Sequence, residues 1–292
     1  MKLGVLNWIP GEASAITADA ISAVRKAGFS GAGVNFANLD ALTPAVCHDI
    51  SALFADGGVE LVEMGVYGTN LVHPDPDVRR AELLSLEKAL GIAAELGASA
   101  AHGPAVITGS GSLNPAGNWF PHQDNRSEAT IARLVASLRE VSSAAKAAGV
   151  LLGLECHTFT VLGTPEIARR VLDEVGSSSL RVHLDPVNWI TWETVYQTGE
   201  AVRHMFEVLP PRYLLGAHAK GIEIENRLAI HMNEVPAGAP TDRMDYVAYL
   251  REMAKMPESA YLIIEHTPVD LIPRSRDHIL AKAREAAVTF AS

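Results

Sequence analysis

Residues 150–157 read VLLGLECH, three apolar residues, a glycine and a leucine, followed by Glu155, Cys156 and His157. A run this short is below the usual length of a core helix, and its lack of polar alternation marks a strand buried on both faces, as in parallel sheets. Working outward, residues 126–149, RSEATIARLVASLREVSSAAKAAG, carry a Leu, Ala and Val stripe at helical spacing and end in glycine. On the other side Thr164 precedes Pro165, a helix-start signal, and Gly176 ends that segment before the next apolar run, LRVHLD (180–185).

The same unit recurs along the chain. The apolar members are KLGVLNW (2–8), GAGVNF (31–36), VELVEMGV (59–66), SAAHG (99–103), VLLGLECH (150–157), LRVHLD (180–185), YLLGAHA (213–219) and YLIIEH (261–266). Thr17, Asp75 before Pro76, and Asn125 with Glu128 three residues on give further helix starts; Gly28, Gly57 and Gly97 give further stops. Repeated strand–helix units with right-handed crossovers close into an α/β fold, a (β/α)8 TIM barrel, expected as a single domain over residues 1–292. An open doubly wound sheet is the rival. Its dinucleotide form requires a glycine fingerprint after the first strand, where this chain has Asn7-Trp8-Ile9-Pro10-Gly11-Glu12. Long connections are expected after strand 4, about Pro104 to His122, and after strand 7, about Lys220 to Asp242. Both leave the C-terminal ends of strands, the face where barrels carry their sites.

Composition narrows the function classes. The chain has 292 residues, is 48% hydrophobic and 20% charged, and carries a formal charge of −10. A net-acidic chain without a basic run is poorly suited to neutralise phosphates, so no nucleic-acid partner is expected. No apolar window approaches the roughly 18 residues of a membrane span, so no membrane association is expected. MKLGVLNWIPGE lacks the layout of a secretion signal, so a cytoplasmic location is expected. Cys47 and Cys156 are too few for a disulfide framework and form no CxxC. A small-molecule substrate remains, in a monomer or a homo-oligomer.

Four late strands end in a chemistry-bearing residue: Glu155, Asp185, His218 and Glu265. Buried charge is costly unless paired, hydrogen-bonded or metal-bound. Consecutive strands 5 to 8 place the four on one arc of the mouth, where three carboxylates and an imidazole repel unless a cation lies among them. A divalent metal resolves that repulsion. The mixed O and N donors suit Mn²⁺ first, with Mg²⁺, Co²⁺, Zn²⁺ and Fe²⁺ also admissible. Alternate strands of a barrel feed alternate layers, so whether the four share one height is a question for the tertiary structure.

Through LECH, HLDPVNW, GAHAKG and IIEH the whole chain resembles the xylose-isomerase-like barrel superfamily, including ketose 3-epimerases and inosose dehydratases and, more distantly, endonuclease IV. The stretches GSLNPAGNWFPH and HMNEV with RMDYVAYL resemble a bacterial subgroup termed sugar phosphate isomerase/epimerase. The resemblance implies Glu155, Asp185, His218 and Glu265 as ligands of one divalent metal, with Glu155 and Glu265 as catalytic acid and base on opposite faces of a sugar. It implies isomerisation or epimerisation through an enediolate, with loss of a β-leaving group from a keto-sugar, keto-glycoside or inosose as the alternative. Two departures stand out. Gly221 follows HAK where the subgroup has Asp, and Asn188 stands where ketose 3-epimerases have a substrate-holding His.

Other residues are candidates for the substrate side, each with a structural alternative. Trp8 can stack on a sugar or belong to the core, and Asn35, Glu63 and Tyr67 end neighbouring strands. His102 can face the cavity or simply end its strand. Asn118, Trp119, Phe120 and His122 form either a lid or an anchored loop. Lys220 continues the face of His218 and, with Arg227 and His231, can bind a hydroxyl or phosphate or lie in solvent. Asn188 is a further substrate contact. His183 shares the face of Asp185 one layer deeper, whereas Cys156, His157 and His266 alternate away from the ligands.

Overall fold

The computed structural model describes residues 1–97 and 103–291. The first half of the chain runs β1 (Lys2–Val5), α1 (Ala18–Lys26), β2 (Gly31–Val34), α2 (Pro44–Asp56), β3 (Glu60–Gly65), α3 (Pro76–Gly97), β4 (Ala105–Gly109) and α4 (Glu128–Ala148). The second half runs β5 (Leu152–Glu155), α5 (Pro165–Val175), β6 (Leu180–Leu184), α6 (Thr198–Val208), β7 (Leu214–Ala219), β8 (Gly221–Ile224), β9 (Met232–Val235), α7 (Tyr246–Met253), β10 (Tyr261–Ile264) and α8 (Ile272–Ala286). The barrel closes in the order β1, β10, β7, β6, β5, β4, β3, β2, with β2 pairing back onto β1. It is the expected parallel (β/α)8 barrel.

The strands are apolar because helices cover them outside and side chains fill them inside. β2, β4, β5 and β10 are buried at every position. Thr17, Thr43 and Thr164 cap α1, α2 and α5 through their side chains, and Gly149 and Gly176 close α4 and α5 at φ of 69° and 67°.

Two expectations need correcting. The fourth barrel strand is Ala105–Gly109, whereas the expected 99–103 lies outside the described residues except for Gly103, and the connection after β4 spans residues 110–127. Ser127, not Asn125, caps α4 by accepting from the Thr130 amide. Asn125 is instead buried, accepting from Leu113 N and donating to the carbonyl of Phe159, so it fastens one mouth loop to the next. Within the long connection after β7, β8 and β9 form an antiparallel hairpin over the mouth.

One glycine shapes the lumen. A Cβ on Gly33 would stand 2.6 Å from Cγ of Glu63, so only glycine lets the Glu63 side chain lie across the barrel interior.

Candidate metal centre

Glu155 is the last residue of β5, Asp185 and Glu265 each lie one residue beyond β6 and β10, and His218 is the penultimate residue of β7. All four are buried, and one donor atom of each lies within 4.8 Å of every other. The layer question is thus resolved in favour of a single cluster. His218 Nδ1 is 3.1 Å from Glu265 Oε2 and 3.7 Å from Glu155 Oε2. Glu155 Oε2 and His218 Nδ1 make no hydrogen bond, while the facing oxygens Asp185 Oδ2 and Glu265 Oε2 lie 2.7 and 3.6 Å from the Lys220 ammonium. Three buried carboxylates converging on one imidazole fit a cation site, because buried charge left uncompensated is costly. The set of three carboxylate oxygens and one imidazole nitrogen fits a divalent ion of the Mn²⁺ or Mg²⁺ type.

The remaining oxygens of the cluster are held by the local chain. Asp185 Oδ1 accepts the amide of Val187, capping the 3₁₀ turn Pro186–Trp189. That turn folds Asn188 back so that its Nδ2 donates to Glu155 Oε1 at 2.8 Å. His218 Nε2 lies 3.3 Å from Glu63 Oε1, and His183 Nε2 lies 3.5 Å from Glu63 Oε2.

Lys220 is buried rather than solvated. Its Nζ is 2.7 Å from Asp185 Oδ2, 3.6 Å from Glu265 Oε2 and 2.5 Å from Glu234 Oε1 on β9. Glu234 also meets His266 Nδ1 at 2.6 Å, so the hairpin is tied to the mouth through charge. His266, half exposed, adopts φ of 46°, a left-handed conformation immediately after a candidate ligand.

The electrostatics separate the two glutamates. Burial, reinforced by Glu265, pushes the Glu155 carboxyl up to about 7. Burial acts on Glu265 in the same direction, but His218 and Lys220 outweigh it and hold Glu265 well below the usual carboxylate range. Burial opposes charge on His218 too, yet Glu265 and Glu63 keep its imidazole well above its ordinary range. Burial, then the charges of Glu155 and Glu63, raises the Tyr67 hydroxyl, which has no hydrogen-bond partner; Asn35 Oδ1 is likewise unpartnered.

The other candidates are placed as follows. Trp8 lies edge-on to Phe29 at 6.1 Å against the outer core. Trp119 Nε1 donates to the Tyr67 carbonyl at 3.1 Å and Asn118 Nδ2 to the same oxygen at 2.8 Å, anchoring the loop after β4 on the loop after β3. His122 is partly exposed beside Asp124, and Arg227 is exposed and pairs with Glu225. His102 lies outside the described residues. His157 accepts the Phe159 amide, and burial raises the Cys156 thiol well above its ordinary range, leaving it unreactive. Glu234 was not singled out in the sequence. Its only signal was a carboxylate within HMNEV of a long mouth loop.

A closed parallel barrel with a carboxylate and imidazole cluster at the C-terminal ends of its strands defines the architectural class. Within it the chain belongs to the xylose isomerase-like TIM barrel family, whose model matches residues 21–285. No curated protein sequence matches it significantly. Among solved structures it is similar to a D-psicose 3-epimerase with D-tagatose from Clostridium cellulolyticum H10, at 19% identity and TM-score 0.71 over 99% of this chain and 100% of that one. It is also similar to a 3-keto-D-glucoside 4-epimerase from E. coli, at 15% identity and TM-score 0.69 over 96% and 99% of the two chains. A xylose isomerase-like TIM barrel protein from Mycobacterium smegmatis in complex with magnesium aligns at 18% identity and TM-score 0.69 over 98% and 97%. At these identities the likeness establishes the fold. No described helix is long and apolar enough to cross a membrane.

Proposed function

We propose that the protein is a divalent-metal-dependent isomerase or epimerase that moves a proton alpha to the carbonyl of a sugar. The observation that carries this reading is the set of four buried, mutually facing donors on Glu155, Asp185, His218 and Glu265, one atom of each within 4.8 Å of every other. Mn²⁺ is the favoured ion, with Mg²⁺, Co²⁺, Zn²⁺ and Fe²⁺ compatible with the same donors. Bound there, the cation would polarise a substrate carbonyl and stabilise negative charge on its oxygen.

The chain's own groups do the rest. Glu155 and Glu265 lie on strands separated by β6 and β7, so they approach a substrate over the mouth from different sides. One carboxylate takes the α-proton and the other returns a proton, either to the opposite face or to the neighbouring carbon. Asn188 holds Glu155 by one oxygen and leaves the other free. The Lys220 ammonium donates toward a substrate oxygen, and the unpartnered Asn35 and Tyr67 atoms meet substrate hydroxyls. Trp119 and His122 on the loop after β4, with Trp8 and Arg227, complete the proposed substrate surround. The epimerase names of two structural neighbours support a ketose or keto-sugar as substrate.

Elimination is the second reading, favoured by Lys220. An ammonium wedged between Asp185 and Glu265 can protonate a departing oxygen β to the carbonyl. Solvent exchange tests both. With Mn²⁺ and a panel of ketoses and 3-keto-glycosides in D₂O, the wild type should incorporate deuterium, and Glu155→Gln or Glu265→Gln should slow this by about 100-fold or more. Unchanged exchange in both variants overturns the proposal. Product mass then separates the outcomes, since isomers conserve it and elimination does not.

A further inference from the structure

Glu63 has no part in the chemistry described above, yet it is almost completely buried and touches a candidate ligand. It lies on β3, and in the ring of eight strands β3 stands directly opposite β7, with three strands between them either way round. The Glu63 side chain therefore crosses the lumen to place Oε1 3.3 Å from His218 Nε2. Gly33 on the adjacent strand makes room, since any Cβ there would collide with Glu63 Cγ. His183 closes the far side, with Nε2 3.5 Å from Glu63 Oε2 and its ring 4.2 Å from that of His218.

The two nitrogens of His218 are thus used differently. Nε2 makes a hydrogen bond to Glu63. Nδ1 comes within 3.1 Å of Glu265 Oε2 but makes no hydrogen bond. An ionised carboxylate only accepts, so the hydrogen of this bond sits on Nε2. With that hydrogen fixed, Nδ1, the nitrogen aimed at Glu155, Asp185 and Glu265, is the one that gives up its hydrogen and offers a lone pair when a cation binds. Without Glu63 the ring could turn, or place its single hydrogen on Nδ1 toward Glu265, which would close the donor cluster.

We infer that Glu63 is a positioning residue that fixes the orientation and hydrogen placement of His218, presenting Nδ1 to the cation. The inference rests on the cation site proposed above. A carboxylate behind a ligand histidine acts in this way generally, and its loss weakens metal affinity about 10- to 100-fold.

The test is calorimetric titration of metal-free protein with Mn²⁺, combined with NMR of histidine-¹⁵N-labelled protein in metal-free and Mg²⁺-saturated forms. The wild type should bind one ion per chain and show a downfield, hydrogen-bonded Nε2–H from His218. Glu63→Leu should bind Mn²⁺ about 10- to 100-fold more weakly and lose that proton signal. Glu63→Gln, which keeps an accepting oxygen and the side-chain volume, should lose less of both and serves as the variant least prone to misfolding. Equal affinity and an unchanged Nε2–H signal in the two variants overturn the inference. So does a stoichiometry of two ions with one bound at Nε2, since Glu63, His183 and His218 would then be ligands themselves. A wild type that binds no ion defeats the proposed function instead, and the proton signal in metal-free protein still decides whether Glu63 fixes His218.

Discussion

Asn188 Nδ2 and Glu155 Oε1 are 2.8 Å apart, and through this one bond a 3₁₀ turn after β6 fixes a carboxylate at the end of β5. One oxygen of Glu155 is thereby occupied and the other faces Asp185, His218 and Glu265. Asn188→Ala should weaken Mn²⁺ binding about 10- to 100-fold, measured by competition with a chelator. Asn188→Asp should weaken it further, because a second carboxylate would face Glu155. Wild-type affinity in both variants would show that the bond is incidental.

Lys220 brings a compensating charge to the cluster before any cation arrives. Its ammonium touches Asp185 and Glu234 and approaches Glu265 from a position almost without solvent. Lys220→Met leaves buried carboxylates uncompensated and should destabilise the metal-free protein by about 3–5 kcal/mol in urea unfolding. Saturating Mn²⁺ should recover more stability in the variant than it adds to the wild type, since the ion replaces the missing charge. Equal stabilisation of the two proteins is the result that contradicts this.

The raised Glu155 carboxyl makes stability depend on pH in a defined direction. Its folded value of about 7 lies above its ordinary 4.5, so the protonated form is favoured in the folded, metal-free protein. That contribution is complete below about pH 4.5 and is lost as pH rises through 7. Glu155→Gln mimics the protonated form at every pH. In metal-free protein it should therefore be more stable than wild type at pH 8, by roughly 1–3 kcal/mol, and near parity at pH 5. Metal affinity of the wild type should fall as pH drops below 7, because the ion must displace this proton. Thermal unfolding and titration at the two pH values check both statements.

Gly109 ends β4 beneath the Trp119 ring, and a Cβ there would lie 2.5 Å from Trp119 Cζ2. Gly109→Ala should displace the indole, break its bond to the Tyr67 carbonyl and cost roughly 1–3 kcal/mol. Hydrogen exchange across residues 110–122 should rise, with little change elsewhere in the barrel. Unaltered protection of this loop would mean that Trp119 does not anchor it.

Much of the fold is legible in the chain because parallel strands buried on both faces leave continuous apolar runs, and helix ends leave Thr, Pro and Gly at fixed offsets. The fourth strand shows where that signal weakens. SAAHG and AVITG are separated only by Pro104 and both are largely apolar, and the β-branched Val106, Ile107 and Thr108 distinguish the second as the better strand former. Asn125 followed by Glu128 had the spacing of a capping box, but a buried amide that bridges two loops gains more from tertiary partners than from a helix end.

The sequence by itself determined the barrel and the four candidate ligands, because local periodicity and the last polar residue of each strand are written in consecutive positions. Only the tertiary structure decided what surrounds those ligands. Glu63 meets His218 across the lumen from the opposite strand, and Glu234 reaches Lys220 from a hairpin that folds back over the mouth. Such contacts join residues remote in sequence, and they depend on ring closure, on the space left by Gly33 and on chain reversal at β8 and β9. No pattern among neighbouring residues encodes those three conditions.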